Sequence, residues 1–281
     1  MKDIIIDALL DVFKVIPFLF IAFLLLECIE HKIKNKNIKL LVNNRRIGPL
    51  CGGILGAFPQ CGFSALATRL FSSRVITLGT LIAIYLSTSD EMLPLFISSG
   101  IRLSIIVKII LIKLLIGIIC GYIIDFLYRR KENYSNEIKE MCKDGDCHCE
   151  KGILHSSLHH TLNIAFYLLI MTLVINIIIY YVGNDAIANF LVNKKGLTYF
   201  LSSLIGLIPN CASSVIITNL YINNMLSLGG LMAGLLSASG VGLLILFRTN
   251  KNLKENIVVL LMIYFIGVFL GIIIDLVGLN L

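Results

Sequence analysis

The chain has 281 residues, 57% of them hydrophobic and 15% charged, with a mean hydropathy of +0.91 and a formal net charge of +7. A soluble domain carries about a quarter charged residues, and no soluble core of this length needs so much apolar surface. Composition therefore excludes a soluble globular domain and points to an all-α integral membrane protein, with membrane lipid and not nucleic acid as the expected surroundings.

Ile4 to Leu26 comes first and is long enough to span, since about 20 residues cross a hydrocarbon core of about 30 Å. Met1-Lys2-Asp3 offers no basic leader and no small-residue cleavage site follows, so a retained helix is expected here rather than a signal peptide. Two short segments follow, Ile47 to Phe58 and Gly62 to Phe71, then two long ones, Val75 to Ile97 and Leu103 to Leu127. Beyond a polar stretch the pattern recurs as Leu158 to Val182, the short Leu197 to Ile208 and Ala212 to Tyr221, then Leu226 to Phe247 and Asn256 to Leu279. The expected organisation is a membrane repeat over 1–128, a loop over 129–157 and a second membrane repeat over 158–281.

The recurrence holds residue by residue. Gly56, Pro59, Cys61, Ser64, Thr68, Leu78, Gly79, Ala83, Ser87 and Ser89 each meet the same residue type 150 positions later, without a gap. A second block keeps the register, with Gly117, Gly121, Ile123, Ile124 and Asp125 matching Gly267, Gly271, Ile273, Ile274 and Asp275. Shared apolar bias does not produce such a register, so the chain reads as a duplicated membrane protein. Segments of only 10 to 12 residues reach roughly 15 to 18 Å as helix, about half a bilayer. They are expected to be paired broken or re-entrant helices, with Pro59 and Pro209 at the joins freeing backbone carbonyls. Such backbone survives in lipid only inside protein or along a polar cavity.

Basic residues crowd the loop after the first segment (Lys32, Lys34, Lys36, Lys39, Arg45, Arg46) and the central one (Arg129, Arg130, Lys131, Lys139, Lys143, Lys151). Both loops are expected in the cytoplasm, with both termini outside. Each half then makes an odd number of crossings, which relates the two five-segment repeats by inverted topology, about ten membrane segments in all. Inverted repeats with interrupted helices mark many secondary transporters, whose site lies at the repeat interface near the midplane.

Around the joins each half offers an amide, a thiol and a hydroxyl: Gln60, Cys61 and Ser64 in the first, Asn210, Cys211 and Ser214 in the second. Proline kinks, small buried cysteines and back-bonded serines would explain one half without a ligand. Their retention in both halves favours a substrate or metal site. The following long segment adds Ser87, Ser89, Asp90 and Glu91 in the first half and Ser237 and Ser239 in the second, where Gly240 and Val241 replace the acids. Carboxylates at helix centres cost about 2.5–3.5 kcal/mol to insert, so two in succession call for a cation or a partner such as Lys108 or Lys113. Those lysines could equally snorkel to the interface. Asp125 and Asp275 lie near helix ends and read as structural.

The central loop holds Cys142, Cys147, His148, Cys149, His155, His159 and His160. Thiol and imidazole suit zinc and softer metals, but the spacing fits no standard finger, so a labile metal-collecting or sensing loop is expected rather than a closed site. A solvated linker with reduced thiols is the plainer alternative. Cys28, Cys51 and Cys120 look like packing residues, and no disulfide framework is expected.

Gly-Ala-Phe-Pro-Gln-Cys-Gly-Phe-Ser at 56–64, the Gly79 to Glu91 stretch, Ile-Pro-Asn-Cys-Ala-Ser-Ser at 208–214 and the Gly240 to Asn250 stretch resemble a bacterial family of ten-helix heavy-metal exporters. Its members are labelled arsenic efflux proteins or manganese transporters. The similarity extends over nearly the whole chain and includes a Cys/His-bearing loop followed by His160-Thr161. It implies a multi-pass protein of the bacterial cell membrane that exports a small inorganic ion, with no enzymatic activity and no resident cofactor. Self-association into a homo-oligomer is compatible with the sequence and not specified by it.

Ligand chemistry favours a divalent transition metal such as manganese, which takes carboxylate and carbonyl oxygen, because an uncharged arsenical would not need the acids. An arsenical efflux permease bound through Cys61 and Cys211 is the nearest alternative. A thiol-disulfide electron carrier using the same two cysteines is another, and leaves Asp90 and Glu91 without a role. A passive channel is a third. No P-loop motif appears, so direct ATP drive within the chain is not expected.

Overall fold

The computed structural model describes residues 47–57, 61–88, 92–128, 197–209, 211–250 and 252–278, with scattered positions between 9 and 24 and between 158 and 177. Cys61, Gly62, Cys211 and Ala212 are described through their backbone alone. Helices account for nearly all of it. In the first half they are α1 (Gly48–Gly56), α2 (Cys61–Ser72), α3 (Leu78–Ser87), α4 (Met92–Ser98) and α5 (Leu103–Leu127). In the second they are α6 (Thr198–Gly206), α7 (Cys211–Ile222), α8 (Leu228–Ser237), α9 (Gly242–Thr249) and α10 (Leu253–Leu276). Every helix of the first set has its counterpart 150 residues on, so the register read in the sequence is also a register of helix boundaries.

The short segments are separate helices, as expected, but the long segments between them are not continuous. Val75 to Ile97 breaks after Ser87, where Thr88 turns extended (ψ 132°) and its hydroxyl bonds back to the Ile84 carbonyl at 2.7 Å. Leu226 to Phe247 breaks after Ser237. There the Ser239 N–H turns to the Ser237 carbonyl (2.9 Å) and Gly240 sits at φ +57°, a left-handed conformation that glycine adopts without strain. Hydroxyl side chains competing for backbone groups, together with that glycine, end both helices. The acids therefore follow the end of α3 rather than lying inside an unbroken helix.

Among the described residues, four stretches are long and apolar enough to cross a membrane: Leu78–Ser98, Leu103–Leu127, Leu228–Thr249 and Leu253–Leu276. The two interrupted ones are 73% and 83% buried, against 22% and 33% for α5 and α10, so the breaks lie in the protein interior. On α5, Val107, Leu111, Leu115 and Ile119 form an exposed stripe, and Ile257, Leu261, Phe265 and Phe269 repeat it on α10. Exposed apolar stripes at i, i+4 spacing suit a helix facing lipid. The chain is a multi-pass membrane protein.

Within each half the interrupted helix is the hub: α3 packs on α1 and α5, α8 on α6 and α10. Close approach comes from glycine. A Cβ on Gly121 would stand 2.7 Å from the Gly79 carbonyl, and one on Gly271 2.6 Å from that of Gly229. Across the halves, α2 packs on α9, α7 on α4 and α3 on α8. Ser64 and Thr68 on α2 meet Gly242 at the start of α9, while Ser72 bonds Thr249 near its end (2.8 Å). Arg74 forms a two-point ion pair with Glu255 at 2.7 and 2.9 Å. Phe96 on α4 packs against Tyr221 on α7, the rings tilted by 53° with centroids 6.0 Å apart.

Candidate functional site

Each half-length helix α3 and α8 starts on a carboxylate. Asp125 accepts the Thr77 hydroxyl at 2.7 Å and the Gly79 N–H at 2.8 Å. Asp275 accepts the Ser227 hydroxyl at 2.5 Å, the Gly229 N–H at 2.7 Å and the Tyr199 hydroxyl at 2.9 Å. Thr77 and Ser227 in turn accept the N–H groups of Thr80 and Gly230. These are N-caps from a neighbouring helix, placing negative charge at the positive end of a helix dipole. They account for Asp125 and Asp275 without a ligand.

The opposite ends of α3 and α8 point into the breaks. Ser87 bonds back to the carbonyls of Ala83 (2.8 Å) and Ile84 (3.1 Å), and Ser237 to that of Ala233 (2.9 Å) and to the Ser203 hydroxyl (2.5 Å). Both serines are fully buried. Ser239, in the second break, is 1% exposed, and its hydroxyl has no partner among the described residues. A buried hydroxyl left in this state costs about 1–3 kcal/mol, and among the described candidate residues Ser239 is the one in that state. Ser64 and Ser214 are buried on α2 and α7. Ser213, not singled out in the sequence, takes up the Ile208 carbonyl next to Pro209 (3.1 Å).

Beside the first break lies a polar cluster that sequence reasoning missed. Thr68 and Tyr85 share a 2.5 Å hydrogen bond in a fully buried setting, and the Thr68 hydroxyl also reaches the carbonyls of Ser64 (2.6 Å) and Gly242 (3.2 Å). The repeated Thr68 and Thr218 were visible as a pair, but Tyr85 is replaced by Leu235 and gave no signal. Lys113 is also fully buried. Its ammonium donates to the Thr88 carbonyl and, at 3.1 Å, to that of Leu235 in the other half. Lys108 is exposed on the outward side of α5, as a snorkelling lysine would be.

The helices starting at Cys61 and Cys211 pack on α9 and α4, each beginning just past a break, and share no comparable contact with one another. Cys51 is exposed and Cys120 half-buried, both as free thiols. Gln60, Ser89, Asp90, Glu91 and Asn210 lie outside the described residues, as do Cys142, Cys147, His148, Cys149, His155, His159 and His160 of the loop. Among the described residues no group of three or more His, Cys, Asp or Glu side chains comes together.

A sequence profile described as "Putative, 10TM heavy-metal exporter" matches residues 1–185. The chain belongs to this heavy-metal exporter family. The match takes in the whole first repeat, with Cys61, Asp90, Glu91 and Lys113, and the Cys/His-bearing loop. No curated protein and no solved structure matches the chain. In this exporter family member the second repeat beyond residue 185 is tied to the first by the 150-residue register and by its helix boundaries.

Proposed function

We propose that the protein is a secondary exporter of a divalent transition metal such as manganese, with its site at the interface of two inverted repeats. The observation that carries this reading is the pair of interior helix breaks, after α3 and after α8, in helices that pack on one another across the halves. Broken helices at membrane depth are where transporters expose backbone carbonyls and helix ends to ions. The exchange of partners, α2 with α9 and α7 with α4, is the pattern a pseudo-two-fold axis produces.

In this reading Asp90 and Glu91 supply the charge that offsets dehydration of the metal. Gln60, Asn210, Cys61, Cys211, Ser64, Ser89, Ser214 and Ser239 add neutral donors, and Ser87 and Ser237 shape the breaks from the helix side. The two breaks open alternately to either side as the repeats exchange conformations, the central loop gathers metal in the cytoplasm, and both termini lie outside. The test is metal flux into liposomes holding the purified protein, across a panel of divalent ions, trivalent arsenite and an organoarsenical. Manganese-selective flux that survives Cys61→Ser with only a severalfold loss supports the reading. Flux of arsenicals alone, abolished by Cys61→Ser or Cys211→Ser, would replace it with the arsenical permease. A Cys61–Cys211 disulfide that cycles with an electron donor would replace it with the thiol carrier.

A further inference from the structure

Lys113 is the one buried lysine among the described residues, and its position is set by the packing of α5 on α3. Gly117 brings the helices together: a Cβ there would stand 2.8 Å from the Ala83 carbonyl. One helical turn from Gly117 toward the start of α5, the lysine stem lies level with the end of α3. Its ammonium then meets two carbonyls that the breaks have set free. The Thr88 carbonyl lies just past the end of α3, on extended backbone. The Leu235 carbonyl would, in an unbroken helix, accept from the Ser239 N–H, which bonds Ser237 instead.

Both acceptors belong to the C-terminal ends of half-helices, where the dipole is negative and carbonyls are unpaired. Carbonyl oxygens at such ends are the ligands with which interrupted helices hold small cations. We propose that this junction between the halves is a cation-binding position, and that the Lys113 ammonium is a tethered cation filling it in place of a free alkali-metal or ammonium ion. The register supports the assignment. The residue matching Lys113 is Ile263, also fully buried, so the second repeat places a hydrocarbon where the first places a charge. The junction rests on the fold and is independent of which metal is carried.

The test uses the full-length protein in detergent and in liposomes, with thermal unfolding midpoint and manganese flux as separate readouts. Sodium, potassium, ammonium and methylammonium chlorides are compared with N-methyl-D-glucamine chloride at constant ionic strength. Wild type should be indifferent to all five in both readouts. Lys113→Ala should lower the midpoint and reduce flux by at least about tenfold, because two buried carbonyls lose their donor. Ammonium, methylammonium or an alkali ion should restore part of both. Lys113→Ile, which fills the space as Ile263 does, should be impaired and unresponsive to every ion. Wild-type behaviour of Lys113→Ile, or no response of Lys113→Ala to any small cation, overturns the proposal. Should Lys113→Ala fail to accumulate, wild type decides: a midpoint that depends on sodium or potassium overturns the tethered cation, and indifference supports it. A wild type that carries no manganese but shows the expected pattern of midpoints would sink the proposed substrate and leave this inference standing.

Discussion

Past the end of α3 the first half continues Thr88-Ser89-Asp90-Glu91; past the end of α8 the second continues Ala238-Ser239-Gly240-Val241. In the 150-residue register Lys113 corresponds to Ile263, and Tyr85 to Leu235. Yet the helix boundaries, the caps at Asp125 and Asp275, the glycine contacts and the apolar stripes coincide. A duplicated scaffold has kept its packing in both copies and concentrated ionisable groups in one. Packing is shared because both halves must bury the same interrupted helix. Charge is not: in the proposed exporter, one set of carboxylates serves a site that both halves share.

The sharpest way to break that comparison is to neutralise the acids. Asp90→Asn and Glu91→Gln should each lower manganese flux at least about 100-fold, since an amide loses most of the attraction for a divalent ion. Val241→Ala, at the position matching Glu91, should change it less than about threefold. Equal losses in the two halves would show that the asymmetry of charge has no functional meaning.

Packing should behave in the opposite way. Gly79→Ala drives a methyl into the Gly121 carbonyl and Gly229→Ala drives one into the Gly271 carbonyl. Each should cost about 3 kcal/mol or prevent folding, seen as loss of a monodisperse peak in detergent gel filtration. The two variants should be alike, and a large difference would mean that the halves do not share one core.

The caps predict a smaller and nearly matched effect. Asp125→Asn and Asp275→Asn should each destabilise by about 1–2 kcal/mol in thermal unfolding. At Asp275 the cost includes the Tyr199 hydroxyl's loss of its acceptor. Smallest is the ion pair between halves, whose side chains are 15% and 11% exposed. A double-mutant cycle on Arg74→Ala and Glu255→Ala should give a coupling of about 1 kcal/mol. A coupling near zero would assign the junction of the halves to helix packing alone.

Runs of apolar residues located Leu103–Leu127 to the residue and the four short helices to within a few, because a lipid-facing helix must be apolar over a set length and a proline ends one. The 150-residue register exposed the paired joins. It did not expose the breaks after Ser87 and Ser237, since neither has a proline at the join itself to mark it. Nor did it fix the partners of Lys113. Two of them are the main-chain carbonyls of Thr88 and Leu235, which no side-chain pattern reveals. Tyr85 escaped for a related reason: a tyrosine among Ile84 and Leu86 reads as filler until Thr68 is seen beside it.

The exchange of helices between halves also sets an order of events during synthesis. The Thr68 hydroxyl and the Gly242 carbonyl that it meets are 174 residues apart in the chain. At about 5–20 residues per second, about 10 to 35 s of translation separate them. Throughout that interval α2 stands in the membrane without α9, and the groups around Ser64 and Thr68 lack their eventual cover. The seam between the halves can close only once the ribosome has delivered residues 242–249.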